Sequence, residues 1–419
     1  LKELSTIRAS NVDKLTVDGQ TQVKLCNYVD VYKNDRITSE VDFMVATATH
    51  EQIERLGLKK GDVVVTKDSE SPWDIAVPTV IAEEIEGLVC GYHLAKVEPS
   101  GADGRFIAWA LRCYEVNLHF ALSAGGITRY GLGISALADG NLPVPSFPEQ
   151  LAISDYLDTE TARIDTMMRE KDELIVLLRE WRQSVVAEFT SGVQHAGAKK
   201  PTANVHMPEI PLDWTMVRIG KYARIGNGST PLKDNANYWE GGTFPWLNSA
   251  VVNLDEVSEG SDYVTDAALR ACHLPIVEAG ALLVALTGQG KTRGQVTILR
   301  IQATINQHLA YLAFDDKFFD TEYMFWALTG MYAALRMVSD GQGGTKGALT
   351  CDDLSRFEVP MPPLAEQKRI ASMLAIEIKK IDDLIAHTNE EIALLKELRA
   401  ATIADAVLGR IDVRMVIQS

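Results

Sequence analysis

The chain has 419 residues, 46% of them apolar and 23% charged, and its formal net charge at pH 7 is −16. The length exceeds one ordinary core and predicts roughly two to four domains, and the composition excludes a disordered chain. The acidic balance excludes coating of nucleic acid by bulk attraction, leaving a local basic face or positive charge supplied by another subunit.

The opening run LKELSTIRAS carries no basic start followed by an apolar stretch, so no secretory signal is expected. No window approaches the roughly eighteen uncharged apolar residues of a membrane helix, and a cytoplasmic chain is the expectation. Residues 1–143 alternate strand-like runs such as GDVVVTKD and VPTVIAEEI with Gly-, Asn- and Asp-rich turns, predicting a mixed, mostly β domain. The five cysteines (Cys26, Cys90, Cys113, Cys272, Cys351) form no CxxC and fit reduced, buried thiols rather than a disulfide frame or a zinc site.

Residues 144–192 change period. Ile153, Leu157, Ile164, Met168, Ile175, Leu178, Val185 and Phe189 recur at spacings of three, four or seven, with Pro148 near the start and Gly192 at the end. A polar, proline-bearing linker follows at 193–209. Residues 210–360 return to strand-like runs (ALLVALTG, GQVTILRI) with one helical stretch, EYMFWALTGMYAALRMV. Residues 361–412 are helical again, with Ile370, Leu374, Ile381, Ile385, Ile392, Leu395 and Ile403 on one stripe, Pro362 and Pro363 ahead and Gly409 behind. Each helix would run about forty residues, or roughly 60 Å. The economical partner for either stripe is the other one, so an antiparallel coiled coil within the chain is expected.

The two helical segments align without a gap at an offset of 217, which places Glu149 on Glu366, Gln150 on Gln367, Asp165 on Asp382 and Arg182 on Arg399. The register continues upstream, with Thr128-Arg129 on Thr345-Lys346, and a similar pattern puts His93 on His308. This predicts an α+β fold with a pseudo-twofold internal repeat: two mixed domains, 1–143 and 210–360, separated by two long helices. Two related heads at a fixed distance suit the reading of two short elements on one linear polymer. One turn of B-form DNA, about 34 to 36 Å, is within reach of such rods.

The stretches LKKGDVVVTKDSESPWDIAVPTVI, GYHLAKV, ITRYGLGISALADGNLPVPSFPEQ, IPLDWTMVRIGKYARIGNGSTP, GQGKTRGQVTILRIQATINQHLAYL and MPPLAEQKRIASMLA carry a resemblance to the specificity subunits of type I restriction–modification systems. It covers essentially the whole chain, and the repeated P-x-x-x-E-Q-x-x-I is its most specific part. The resemblance implies two target-recognition domains that each read half of a bipartite, asymmetric double-stranded DNA sequence. It implies helices that set the gap and dock two modification (methyltransferase) subunits, with Glu149, Gln150, Glu366 and Gln367 as partner-binding candidates, and restriction subunits that join the full complex. It implies no catalytic residue in this chain. In the family the first domain opens with a segment like IPLDWTMVRIG; here LKELSTI matches VRIGKYA onward, so a few opening residues are expected to be absent.

Direct readout needs donors and acceptors on short loops, with basic residues for phosphates. The first domain offers Thr66, Lys67, Asp68, Ser69, Glu70 and Trp73, and the turn Thr128-Arg129-Tyr130. The second offers Asn227, Ser229, Thr230, Asn248 and Ser249, the loop with Gln289, Lys291, Thr292 and Arg293, and Lys346. His93 and His308, flanked by apolar residues, read as core histidines. No His, Cys or carboxylate set has metal spacing, so no metal and no cofactor are expected. A P-loop NTPase is the sharpest rival: ALTGQGKT departs by one residue from G-x-x-x-x-G-K-[ST], but a P-loop needs a helix starting at the Lys-Thr, and RGQVTILRIQ alternates like a strand. A methyltransferase acting alone lacks its Gly-rich loop and Asn-Pro-Pro-aromatic motif. A coiled-coil scaffold that binds no DNA remains the alternative that composition allows.

Overall fold

A computed structural model describes residues 1–288, 290–340 and 347–416. The chain divides into two compact units, one of Leu1–Asp172 with Asn389–Ser419 and one of Glu173–Thr388. Both cuts fall inside long helices, Phe147–Ser191 and Leu364–Val407. No helix of the described residues is long and apolar enough to cross a membrane.

In the first unit a five-stranded sheet runs in the order Ser5–Ala9, Leu94–Pro99, Val63–Thr66, Pro78–Ile81, Arg36–Ile37. Neighbours are antiparallel except the last pair, which is parallel. Successive side chains of a strand point to opposite faces. Val63 and Val65 therefore face a core with Phe106, Ile107, Phe120, Ile153, Leu157, Ile403 and Val407. Val64 faces the other core with Leu25, Leu56, Ile81 and Val89. A smaller sheet of Met44–Ala48, Thr21–Cys26 and Leu88–Cys90 closes that second side.

The second unit has the same orders and directions: Ala223–Asn227, Leu309–Phe314, Leu282–Ala285, Val296–Leu299, Glu256–Val257, then Asp262–Val264, Phe244–Leu247, Thr304–Ile305. Leu282 and Val284 join Tyr323, Leu328, Val186, Leu374 and Ile381. Leu283 and Ala285 join Leu247, Leu299 and Leu309. It also carries two short strand pairs, Thr215–Arg218 with Glu358–Met361, and Lys199–Pro201 with Glu209–Pro211 within the polar connecting stretch.

Each unit holds one half of both long helices. In the first, Asp165 meets Arg399 at 2.8 Å and Lys171 meets Glu391 at 2.5 Å, so the numbering runs in opposite directions along the two. In the second, Arg182 meets Asp382 at 3.0 Å.

The repeated Glu-Gln is where each long helix fastens to its sheet domain. Gln150 is buried; its Oε1 accepts from the Asp103 amide at 3.0 Å and its Nε2 donates to the Pro145 carbonyl at 3.0 Å. Asp103 caps the helix Gly104–Arg112. Gln367, also buried, accepts from the Asp320 amide at 2.9 Å and donates to the Phe318 and Pro362 carbonyls, both at 2.9 Å. Asp320 caps Thr321–Gly330. A primary amide suits this role because one side chain supplies an acceptor and two donors. Gln367→Leu keeps the shape and orphans one N–H and two C=O groups, so equilibrium denaturation should show a loss of about 1–3 kcal/mol.

Candidate nucleic-acid interface

In the first unit the loop after Val63–Thr66 and the turn at 128–131 meet. Asp68–Ser69 pairs with Tyr130–Gly131, and the Leu132 amide donates to the Lys67 carbonyl at 2.7 Å. Lys67 Nζ and His93 Nδ1 each lie 2.8 Å from Asp68 Oδ2. The Arg129 guanidinium is 3.3 Å from His93 Nε2, and Lys67 stands 5.8 Å from the centre of the exposed Tyr92 ring. With Nδ1 turned to a carboxylate, the ring proton is assigned there and Nε2 accepts from Arg129. Burial works against the Asp68 charge, but hydrogen bonds from Lys67 and His93 outweigh it and hold the carboxyl below its usual range. Glu70, Thr128 and Trp73 are exposed, and Trp73 stacks on Tyr114 with centroids 6.3 Å apart.

In the second unit the matching place is a chain of hydroxyl, amide and imidazole groups. Thr230 Oγ1 donates to Gln307 Oε1 at 2.6 Å, Gln307 Nε2 lies 3.3 Å from His308 Nε2, and Thr287 Oγ1 lies 2.9 Å from His308 Nδ1. The Asn306 amide donates to Leu247, next to Asn248, and its carbonyl accepts from Gly228, between Asn227 and Ser229. Only glycine fits at 228, since a Cβ would collide with the Ile305 carbonyl. Asn227, Ser229, Thr230 and Asn248 are thus brought together around 306–308, though Asn248 Oδ1 is occupied by the Ala250 amide and caps Ser249–Asn253. Lys291 is exposed on the glycine-rich loop, and Thr292 is half-buried beside it.

Several expectations change. Thr66 is buried, its hydroxyl donating to Asp74 and accepting from Val77, so it closes the loop from inside. Ser69 is buried and accepts from Tyr28 and Ser71. Arg293 is only 5% exposed and packs where a Cβ on Gly347 would collide with its guanidinium. These three support the loops and do not present side chains outward. His93 and His308 are not core residues: they precede the strands Leu94–Pro99 and Leu309–Phe314, and His93 has φ +70°, which turns its ring out of the ladder. Tyr92 and Gln307, their neighbours, escaped the sequence reading; the matched His pair was the signal that pointed at them. The P-loop reading fails, because the strand Val296–Leu299 follows the loop and no helix starts at Lys291-Thr292. Gln289 and Lys346 lie outside the described residues.

Among the partner candidates, Gln150 and Gln367 face inward as described above, and Glu149 is half-buried. Glu366 accepts from Trp214 Nε1 at 3.1 Å and lies 3.7 Å from His195 Nε2, with Asp213 close by. These three could converge on a cation, but His195 Nδ1 accepts from the Gly197 amide at 3.0 Å. That leaves the ring proton on Nε2, facing the carboxylates, so the imidazole donates there and offers no lone pair.

Asp68 makes stability depend on pH. Its folded pKa is depressed below the ordinary 3.8, so its contribution is complete above that value and is lost as pH falls through the folded one. Denaturant unfolding should therefore show a larger gap between the native chain and Asp68→Asn at about pH 7 than at about pH 3.

Residues 211–394 match the family described as type I restriction modification DNA specificity domain. A Methanocaldococcus jannaschii protein with the provisional name type I restriction enzyme MjaX specificity subunit is 25% identical over 336 residues, spanning 78% of this chain and 73% of the relative. A structure described as "Structural basis underlying complex assembly and conformational transition of the type I R-M system" superposes with TM-score 0.74 at 18% identity, covering 97% of this chain and 96% of the other. The crystal structure of the HsdS subunit from Thermoanaerobacter tengcongensis superposes with TM-score 0.56 at 19% identity, covering 98% and 96%. The superpositions give the fold, and residues 211–394 together with the relative matched over 336 residues make the chain similar to the specificity subunits of type I restriction–modification systems.

Proposed function

We propose that each sheet domain reads one half of a bipartite DNA target and that the long helices form an antiparallel coiled coil setting the gap between the halves. One observation supports this: both units share one strand order, and in each a partly exposed polar cluster follows from it, around His93 in one and His308 in the other. The internal repeat is supported by ion pairs related by the offset of 217, Asp165 with Arg399 and Asp382 with Arg182. Different clusters suit different half-sites. Arg129 and Lys67 offer donors to guanine or phosphate, whereas Thr230, Gln307 and His308 offer mixed donors and acceptors. Lys291 and Arg129 serve as phosphate contacts, and Trp73, Thr128, Tyr130, Glu70 and Asn227 as loop contacts around them.

The modification subunits dock on the helices, and restriction subunits complete the assembly in the cytoplasm. Apolar residues outside the seam support the docking: Leu177 is 61% exposed and Trp181 51%, and the residues 217 positions on, Leu394 and Leu398, are 63% and 48% exposed. Glu149 and Glu366 stand at the helix starts as further candidates for that docking. A chain of charge −16 gains little from phosphates alone, so tight binding draws on positive charge from the docked subunits, and catalysis belongs to them.

The gap tests this reading. Four residues inserted in both helices, after Lys171 and after Thr388, add about one turn, near 6 Å. Methylation by the complex with its modification partner should then move to targets whose gap is about one or two base pairs longer. An unchanged preferred gap would contradict the spacer.

A further inference from the structure

Two arginines related by the repeat hold matching three-way junctions. In the first unit Arg399 Nε and an Nη pair with both oxygens of Asp165 at 2.8 and 3.2 Å, and that Nη reaches Asp35 Oδ2 at 2.5 Å. Its guanidinium lies 6.0 Å from the centre of the Trp109 ring. In the second unit Arg182 pairs with Asp382 at 3.0 Å and with Asp255 at 3.1 Å, and lies 5.7 Å from the centre of Trp326. Asp35 and Asp255 directly precede the parallel edge strands Arg36–Ile37 and Glu256–Val257, and their carbonyls accept from Val80 and Ile298 of the neighbouring strand. Each junction therefore ties both long helices to the sheet itself. Arginine suits it because one planar fork can serve two carboxylates while its face lies on an aromatic ring.

The junctions are not equally reinforced. In the first unit Arg112 also pairs with Asp35 at 2.8 Å, and Asp158 on the long helix accepts from Trp109 Nε1 at 2.9 Å and from Arg105 at 2.9 Å, and pairs with Arg36. At the offset of 217 the second unit has Thr329 for Arg112, Ala375 for Asp158 and Glu322 for Arg105. Those links are gone, and a cavity of about 750 Å³ opens there, lined by Asp255, Glu322, Trp326, Ala375 and Asp382.

We infer that Arg399 and Arg182 are positioning residues, each fixing how its sheet domain is seated on the long helices, and that Arg182 clamps the less reinforced second seat, where the counterparts of Arg112, Asp158 and Arg105 are lost. This rests on the proposed two-half reading of DNA. A domain that rocks on its seat spreads the span its loops can reach, so strictness about the gap depends on these side chains rather than on any base contact.

The test uses the full chain with its modification partner on targets whose gap is native, one base pair shorter or one longer. Arg182→Gln should keep the native-gap rate within about threefold and lower the preference for the native gap about tenfold; Arg182→Lys should fall between, and Arg399→Gln should change the preference less. Wild-type gap preference in Arg182→Gln, or an equal loss of rate at every gap, overturns the inference. A second measurement needs no DNA. Spin labels at Ala267→Cys and Lys380→Cys, with Cys272 and Cys351 replaced by Ser, should give a broader distance distribution when Arg182→Gln is added, at an unchanged unfolding midpoint. An unchanged distribution also overturns it. A native chain indifferent to the gap would contradict the spacer reading, while the label distances still decide the role of Arg182.

Discussion

A helix of 45 residues with an apolar stripe along its length cannot stand in water alone, and this chain has a second of 44 residues under the same constraint. Burying a Leu side chain is worth about 1.5–3 kcal/mol, and Leu157 and Leu374 are both fully buried. The result is that neither compact unit is closed by neighbouring sequence. The first core takes Ile403 and Val407 from near the end of the chain beside Ile153 and Leu157. Such distant contacts carry a loop-closure cost, so the first unit reaches its full core only when the last helix is present.

Charge is arranged with the same economy. The polar cluster of the first unit pairs Lys67 with Asp68 and lets Asp68 orient His93, so of its two cations one is paired with a carboxylate and Arg129 is the exposed one. The matching cluster of the second unit is built from two hydroxyls, a primary amide and an imidazole. On the proposed reading this gives a chain that discriminates through the geometry of hydrogen-bond groups and leaves bulk attraction for DNA to its partners. On that reading a DNA reader with an acidic balance is no paradox.

Much of the architecture was legible because two stretches of the sequence align at a constant offset. The offset of 217 linked Arg182 to Arg399 and Asp165 to Asp382, and those residues form the crossed ion pairs. Helical periodicity gave the long helices, and strand-like alternation after Lys291-Thr292 excluded the P-loop. The site was less legible. Glu-Gln reads as a surface motif in sequence, but its glutamine is drawn inward by a helix start forty-seven residues away. His93 reads as core because its neighbours are apolar, yet one residue in a left-handed conformation reverses that. Arg293 looks exposed on a polar glycine-rich loop, and tertiary packing buries it. Each miss turns on a contact or a backbone angle that local composition does not carry.

The most direct measurement is a map of methylated positions on genomic DNA exposed to the chain together with the modification subunit proposed to dock on it. Two half-site readers on a fixed spacer should give one target class with two specified segments separated by an unspecified stretch of constant length, and exchange of residues 1–143 for the counterpart domain of a type I specificity subunit should alter one segment alone. A single uninterrupted motif, or two segments at variable separation, would contradict it.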